Sequence, residues 1–195
     1  GIELEVCYLI KKSFFASKGK LTNKNITKYI SHMAPCIEVV GYWQKRKGIT
    51  SFGDLCSDFG GNIKFLIGQK KKFKKINIGN LKTNINNKQG KQSVNGNTNV
   101  VYVNPINSLR FVLNKVKKDK TSLNKDFYVF TGSTVGVIPI LKKGVYSGKI
   151  EKIGSVKIVL LLICNSIVEC PTHVIKLLLL LIFWIIESTL KLFAI

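Results

Sequence analysis

The stretch Gly1-Ile2-Glu3-Leu4-Glu5-Val6-Cys7-Tyr8-Leu9-Ile10 decides how the rest of the chain is read. It is a run of apolar, β-branched and aromatic residues broken only by carboxylates at positions 3 and 5, and such a run is a strand signal. In a strand, residues i and i+2 share a face about 6.5 to 7 Å apart, which lets Glu3 and Glu5 reach one divalent cation together. A third carboxylate is placed in the same way. Glu38 is the lone charge in Pro35-Cys36-Ile37-Glu38-Val39-Val40, a second strand-like run. The chain has only 10 acidic residues, so three inside strand patterns are poor candidates for mere solubilising charge. The competing reading is a solvated strand face, because alternation also marks any half-buried strand. Spacing alone leaves both readings open.

Length and composition set the frame around that stretch. With 195 residues the chain fits one domain, or one domain with an appendage. A hydrophobic content of 46% supports a substantial core and excludes wholesale disorder. The 31 Lys+Arg against 10 Asp+Glu give a formal charge of +21, which favours nucleic acid or an anionic membrane surface as partners. Lys, Asn and Ile are abundant together throughout, however, so part of the excess belongs to general composition. Cysteines at 7, 36, 56, 164 and 170 show no Cys-x-x-Cys spacing and sit mostly in apolar runs, as buried thiols of a reducing compartment do. His32 and His173 lack ligand spacing and give a zinc site little support. The chain opens inside a strand pattern with no signal or transit peptide pattern, so a cytoplasmic, N-terminally truncated protein is expected.

Taken in order, Lys11 to Asn25 is polar and irregular, and then Ile26, Tyr29, Ile30 and Met33 recur at helical spacing, predicting a short helix that Pro35 ends. Tyr42 to Gly53 reads as a mixed loop, followed by turn chemistry around Asp58 in Gly53 to Asn62; a solvated turn is the plainer reading of that Asp. Lys64 to Gly68 is a further short strand. Gln69 to Asn99, with thin alternation at Ile76, Ile78, Leu81 and Ile85, predicts a hairpin-like meander with Gly90 and Gly96 at turns. Its run Gln69-Lys70-Lys71-Lys72-Phe73-Lys74-Lys75 reads either as a phosphate or nucleic-acid patch or as a solvated loop, and the loop is favoured because no stacking platform accompanies it. Val100 to Val103 predicts a strand. Asn104 as N-cap, Pro105 at the first helical position and an apolar face of Leu109, Val112, Leu113 and Val116 predict a helix with a basic end. Phe127 to Phe130 predicts a strand leading into a Thr131-Gly132-Ser133 turn, whose N–H groups and hydroxyls suit a carboxylate. Lys142-Lys143-Gly144 marks another turn, and Gly154 to Leu160 a closing strand.

From Leu161 the composition changes. Val174 to Phe193 would span about 30 Å as a helix. Its ten consecutive apolar residues, Leu177 to Ile186, contribute roughly −3 to −6 kcal/mol to insertion, against about +2.5 to +3.5 for a central charge. Lys176, Glu187 and Lys191 lie off-centre, so the tail is expected to be a membrane helix or an aberrant extension.

These motifs form an ordered set that resembles the 2-keto-4-pentenoate hydratase family of the fumarylacetoacetate hydrolase superfamily. The resemblance runs through Glu3-Leu4-Glu5, Ile37-Glu38-Val39-Val40-Gly41, Ser57-Asp58-Phe59-Gly60-Gly61-Asn62 and Asn104-Pro105-Ile106-Asn107-Ser108-Leu109. It continues in Leu113-Asn114-Lys115, Val129-Phe130-Thr131-Gly132-Ser133 and Ile153-Gly154-Ser155-Val156. It implies an α+β fold, a mixed β-roll or sandwich with a few short flanking helices, over residues 1–160, with the apolar tail, a C-terminal helix, over 161–195. It also implies one Mg²⁺ or Mn²⁺ held by Glu3, Glu5 and Glu38. Three close carboxylates raise one another's pKa unless a hard cation neutralises them, and all-oxygen ligation suits Mg²⁺. Thr131, Gly132 and Ser133 are implied at the substrate carboxylate, with Asp58 standing behind the metal ligands.

The activity implied is addition of water to a 2-hydroxy-2,4-dienoate, giving a 4-hydroxy-2-oxo acid, in a homo-oligomeric enzyme. Decarboxylases and carbon–carbon hydrolases of the same superfamily are the alternatives, as is a basic membrane- or nucleic-acid-associated non-enzyme. The family pattern places a Gly-x-Lys segment, with its acid/base lysine, ahead of residue 1, so no catalytic Lys is assigned. Tyr42-Trp43-Gln44 stands where the family often carries Asp-Ser-Arg, and the Lys-rich segment at 69–75 lies outside the pattern.

Overall fold

The alternating first stretch forms strand β1 (Ile2–Ile10), and its two faces divide the protein. The computed structural model describes residues 1–43 and 51–161. Within them β1 is followed by β2 (Ile30–Val40), α1 (Phe52–Ser57), β3 (Asn62–Ile67), β4 (Lys71–Lys72), β5 (Lys82–Asn87) and β6 (Gln92–Asn97). Then come α2 (Pro105–Lys118), β7 (Phe127–Ser133), β8 (Gly144–Ile150) and β9 (Gly154–Leu160). Strands β3-β2-β1-β7 form one antiparallel sheet, with the short β4 on the same edge of β2 as β3. A second antiparallel sheet has the order β6-β5-β8-β9. The fold is therefore α+β, two mostly antiparallel sheets with few helices.

Period-2 alternation sends Ile2, Leu4, Val6, Tyr8 and Ile10 to one side of β1, where all are fully buried. They meet Ile85 of β5, Tyr146 and Ile150 of β8, and Val156 and Ile158 of β9, together with Leu109 and Leu113 of α2, in one core. The sheets come close there: a Cβ on Gly148 would lie 2.6 Å from Leu4 Cδ1. Helix α2 begins as predicted, with the Asn104 side chain accepting from the Ile106 N–H at 2.9 Å and Pro105 in the first turn. The odd residues of β1 face away from this core, and there Cys7 packs with Ala34 and Cys36 under Phe65, Ile67, Tyr128 and Phe130.

Five local expectations are corrected. The helix expected over Ile26 to Met33 is a single 3₁₀ turn, Ile26–Tyr29, feeding straight into β2. Its apolar spacing fits a turn plus a strand equally well, since Ile26, Ile30 and Met33 all reach the core. Pro35 does not end anything: it sits inside β2 opposite Val6, where its carbonyl accepts from Gly68 N–H at 2.8 Å. That side of Pro35 faces the break between β3 and β4, so its missing N–H deprives no ladder partner. Val100 to Val103 is no strand. Thr98 Oγ1, fully buried, donates to Ile78 O at 2.6 Å and accepts from Leu81 N at 2.8 Å, turning the chain as β6 ends, and Tyr102 and Val103 follow at φ 48° and 66°. Gly90 is in the β5–β6 turn, but Gly96 lies inside β6, where a Cβ would meet the Thr134 carbonyl at 2.1 Å. Finally, Thr131-Gly132-Ser133 belongs to β7 rather than to a turn after it.

Cys7 and Cys36 are buried free thiols, as expected, whereas Cys56 is exposed on α1. The expected C-terminal helix and membrane span, with Cys164, Cys170 and His173, lie outside the described residues, as do Gln44 and most of the expected 42–53 loop. Among the described residues no helix is long and apolar enough to cross a membrane.

Candidate metal centre

On the outward face of β1, Glu3 stands directly across from Glu38 of β2, and Glu5 across from Cys36. This register brings one carboxylate oxygen from each of Glu3, Glu5 and Glu38 within 4.8 Å of the others. Glu5 is 3% exposed, while Glu3 and Glu38 are half-buried, so the cluster opens to solvent along one side. Among the described residues it is the grouping of His, Cys, Asp or Glu side chains capable of holding a metal ion. His32 does not join it.

Each carboxylate is aimed by something the fold supplies. The pairing of β1 with β7 slips between Glu5 and Cys7: Ser133 pairs with Glu5 and Phe130 with Cys7, so Thr131 and Gly132 together oppose one residue as a β-bulge. The bulge places Gly132 at φ 109° and directs its N–H onto Glu5 Oε2 at 3.0 Å. Thr131 anchors it from beneath, its buried hydroxyl donating to Val6 O at 2.8 Å, while its carbonyl accepts from Ser108 Oγ of α2 at 2.8 Å. A second irregularity, between β2 and β3, leaves Asn62 beside Val40, and its Nδ2 donates to Glu38 Oε1 at 2.7 Å. Asn62 is held in turn by Trp43, whose indole Nε1–H donates to its carbonyl at 2.7 Å. Asp58, 2% exposed, accepts the Trp43 backbone N–H on both oxygens at 3.1 and 3.2 Å. Asp58 thus stands three hydrogen-bonded links behind Glu38, through Trp43 and Asn62.

The electrostatics follow from crowding three acids on a partly dry face. Burial above all pushes the Glu5 carboxyl up to about 8, against the pull of the Gly132 N–H and with help from the Glu38 and Glu3 charges. Burial and then Glu38 raise Glu3, while the N-terminal ammonium of Gly1 pulls it back. Hard oxygen donors this close, one of them too costly to ionise alone, fit a divalent cation such as Mg²⁺. Beside them Phe65 and Phe130 stack with ring centroids 3.6 Å apart and planes 4° from parallel, roofing Cys7 and Cys36. Burial pushes the Cys36 thiol well up, so it stays a neutral neighbour.

Of the residues marked by sequence, Glu3, Glu5 and Glu38 converge, and Gly132 meets them through Glu5. Ser133 pairs with Glu5 across the strands, its hydroxyl donating to Gly136 O at 3.1 Å. Sequence reasoning assigned no role to Asn62, Trp43 or the Phe65–Phe130 pair. A polar residue heading the apolar run of β3 was the available signal for Asn62; nothing local foretold the ring stack, which joins residues 65 positions apart.

No family model matches the chain, and no curated protein matches it by sequence. Solved structures do. The 4-oxalocrotonate decarboxylase of Pseudomonas putida G7, complexed with magnesium and adipate, superposes with a TM-score of 0.66 at 15% identity, over 80% of this chain and 58% of that one. A structure of the same decarboxylase with calcium and acetate gives 0.61 at 14% identity, over 80% and 57%. A 5-carboxymethyl-2-hydroxymuconate delta-isomerase from Mycobacterium smegmatis gives 0.51 at 12% identity, over 80% and 56%. The fold is thus of the fumarylacetoacetate hydrolase type, and the chain spans somewhat over half the length of these proteins.

Proposed function

We propose that this chain is the metal-binding core of an enzyme of the fumarylacetoacetate hydrolase superfamily that hydrates a 2-hydroxy-2,4-dienoate. The observation that carries the reading is the convergence of Glu3, Glu5 and Glu38 within 4.8 Å on one face of β1 and β2, in this fold. Glu3, Glu5 and Glu38 would hold one Mg²⁺ or Mn²⁺. When bound, such a cation supplies Lewis acidity toward the 2-oxo acid form of the substrate.

The chain's own groups do the positioning. Gly132 N–H fixes Glu5 Oε2, and Asn62 Nδ2 fixes Glu38 Oε1, so two of the three ligands are oriented before any ligand arrives. Of the segment Thr131-Gly132-Ser133, the Thr131 hydroxyl and the Gly132 N–H are engaged with Val6 O and Glu5, and Ser133, paired with Glu5 across the strands, would meet the carboxylate end of the substrate. Without a cation, Glu5 keeps a proton on its carboxyl near neutral pH, so metal uptake releases one. The stacked rings of Phe65 and Phe130 close one side of the cup with an apolar wall suited to a conjugated chain.

The test is titration of Mg²⁺ and Mn²⁺ into the purified chain by calorimetry, followed by 2-hydroxypenta-2,4-dienoate turnover read from loss of dienoate absorbance. Stoichiometric metal uptake that Glu5→Ala abolishes, with product identified as the 4-hydroxy-2-oxo acid, is the expected outcome. Uptake unchanged in Glu5→Ala removes the metal centre. Carbon dioxide released from a 2-oxo-dioate, with no hydration, moves the chain to a decarboxylase.

A further inference from the structure

The lysine run at 69–75 is not the loose solvated loop its composition suggests. Lys71 and Lys72 form β4 on His32 and Met33, and the next residue, Phe73, donates its N–H to Ser31 O at 3.0 Å. Phe73 also packs edge-on against the buried Tyr8 ring, centroids 6.3 Å apart, so the run is nailed to the core in its middle. From the other sheet, the tight turn after β8 presents Lys152 at φ 62° above the fully buried Ile153. The two ends approach closely: Lys71 Nζ lies 3.9 Å from where a Cβ on Gly154 would stand.

Between them is a groove of about 340 Å³, lined by Met33, Lys71, Lys72, Lys74, Ile76 and Lys152. Four of its six lining residues are cationic. Among the described residues the one acid within ion-pair distance of any of the four is Glu151, 3.8 Å from Lys152. None of the six belongs to the carboxylate cluster. Four like charges gathered around one concavity, two of them on the paired strand β4, repel one another, and a compact anion relieves that repulsion all at once.

We propose that this groove binds a small polyanion of three or more negative charges, the chemistry that an oligophosphate group carries, with the apolar Met33 and Ile76 accepting an uncharged portion. A concavity of this volume is the size of a small-ligand site. A nucleic-acid strand instead needs an extended track with aromatic stacking faces, and Phe73, the aromatic within the run, is turned onto Tyr8.

The probe is inorganic tripolyphosphate, titrated calorimetrically into the full chain at about 150 mM salt, where distant charges are screened. One equivalent is expected to bind, and Lys71→Gln with Lys152→Gln is expected to weaken it by about 10-fold or more. The control Lys118→Gln with Lys125→Gln removes the same charge from exposed positions elsewhere, and is expected to change affinity by less than about 2-fold. Equal losses in both double variants would mean that only net charge is read, and would overturn the site. So would an oligothymidine that binds more tightly than tripolyphosphate and loses its affinity in the Lys71 and Lys152 variant, since that outcome makes the face a nucleic-acid surface. All four substitutions are at exposed side chains, so circular dichroism of each variant is expected to match the parent.

Discussion

Glu5 is the residue where fold and chemistry conflict most. It is a carboxyl on a central strand, 3% exposed, whose raised pKa makes ionisation in the folded chain expensive. In the unfolded chain it ionises near 4.5, and in the folded, metal-free chain near 8. Between those values the folded state holds a proton that the unfolded state has lost, so stability falls as pH rises through that window and levels off above it. The contribution is full below about 4.5 and gone above about 8, a loss on the order of a few kcal/mol. Glu3 adds to the same trend, its carboxyl also being raised. Urea unfolding in chelator across pH 5 to 9 is expected to show this decline, and Glu5→Gln, which keeps the shape but cannot ionise, is expected to flatten most of it and to be the more stable protein at pH 8. A variant as pH-sensitive as the parent would place the titration elsewhere. The pair Glu3 and Glu5 was legible from spacing because period-2 alternation is a local property. The partner across the sheet, Glu38, was legible as an isolated charge in an apolar run, but its register with Glu3 is set by the whole β1–β2 ladder and has no local signature.

At the scale of the element, the β7 bulge is what turns a sheet into a site. Gly132 is held at φ 109°, a region that residues with a Cβ rarely enter, and its N–H is the group that orients Glu5. Gly132→Ala keeps the N–H but strains the bulge, at a cost on the order of 1 to 3 kcal/mol. The expected outcome is a stability loss of that size by thermal unfolding and a Mg²⁺ affinity weakened about 10-fold, since one ligand loses its fixed aim. Affinity unchanged beside lost stability would show that Glu5 is aimed without the bulge. Sequence reading took Thr131-Gly132-Ser133 for a turn because Gly between hydroxyl residues carries the same signal in a bulge as in a turn. The same ambiguity misplaced Gly96, a glycine demanded by the Thr134 carbonyl of a distant segment, and Pro35, tolerated by a gap in the neighbouring edge. Helix α2 was read correctly because its Asn-Pro start and its apolar stripe are both local. Strand β8, GVYSGKI, went unread since two glycines dilute its pattern, yet Gly148 is what lets the second sheet approach Leu4.

For the whole molecule, metal binding at the proposed site would be linked to stability through β1, because one face of it fills the core between the sheets while the other carries two of the three carboxylates. A cation bound there stabilises the entire sandwich rather than a loop, by about 2.7 kcal/mol at a hundredfold excess over Kd. A second, unrelated force acts on the same observable. The formal charge of +21 makes the compact chain repel itself, and any salt screens that repulsion, so sodium chloride is also expected to raise the midpoint. The two are separable by burial. Screening acts on exposed lysines and is indifferent to Glu5, whereas the specific effect passes through a carboxyl 3% exposed. Thermal unfolding at pH 8 is therefore expected to shift upward in MgCl₂ by more than in NaCl of equal ionic strength. In Glu5→Gln the magnesium surplus is expected to vanish while the sodium response persists. Equal responses to the two salts in the parent chain would mean that Glu3, Glu5 and Glu38 hold no cation, and that charge screening alone accounts for the salt response.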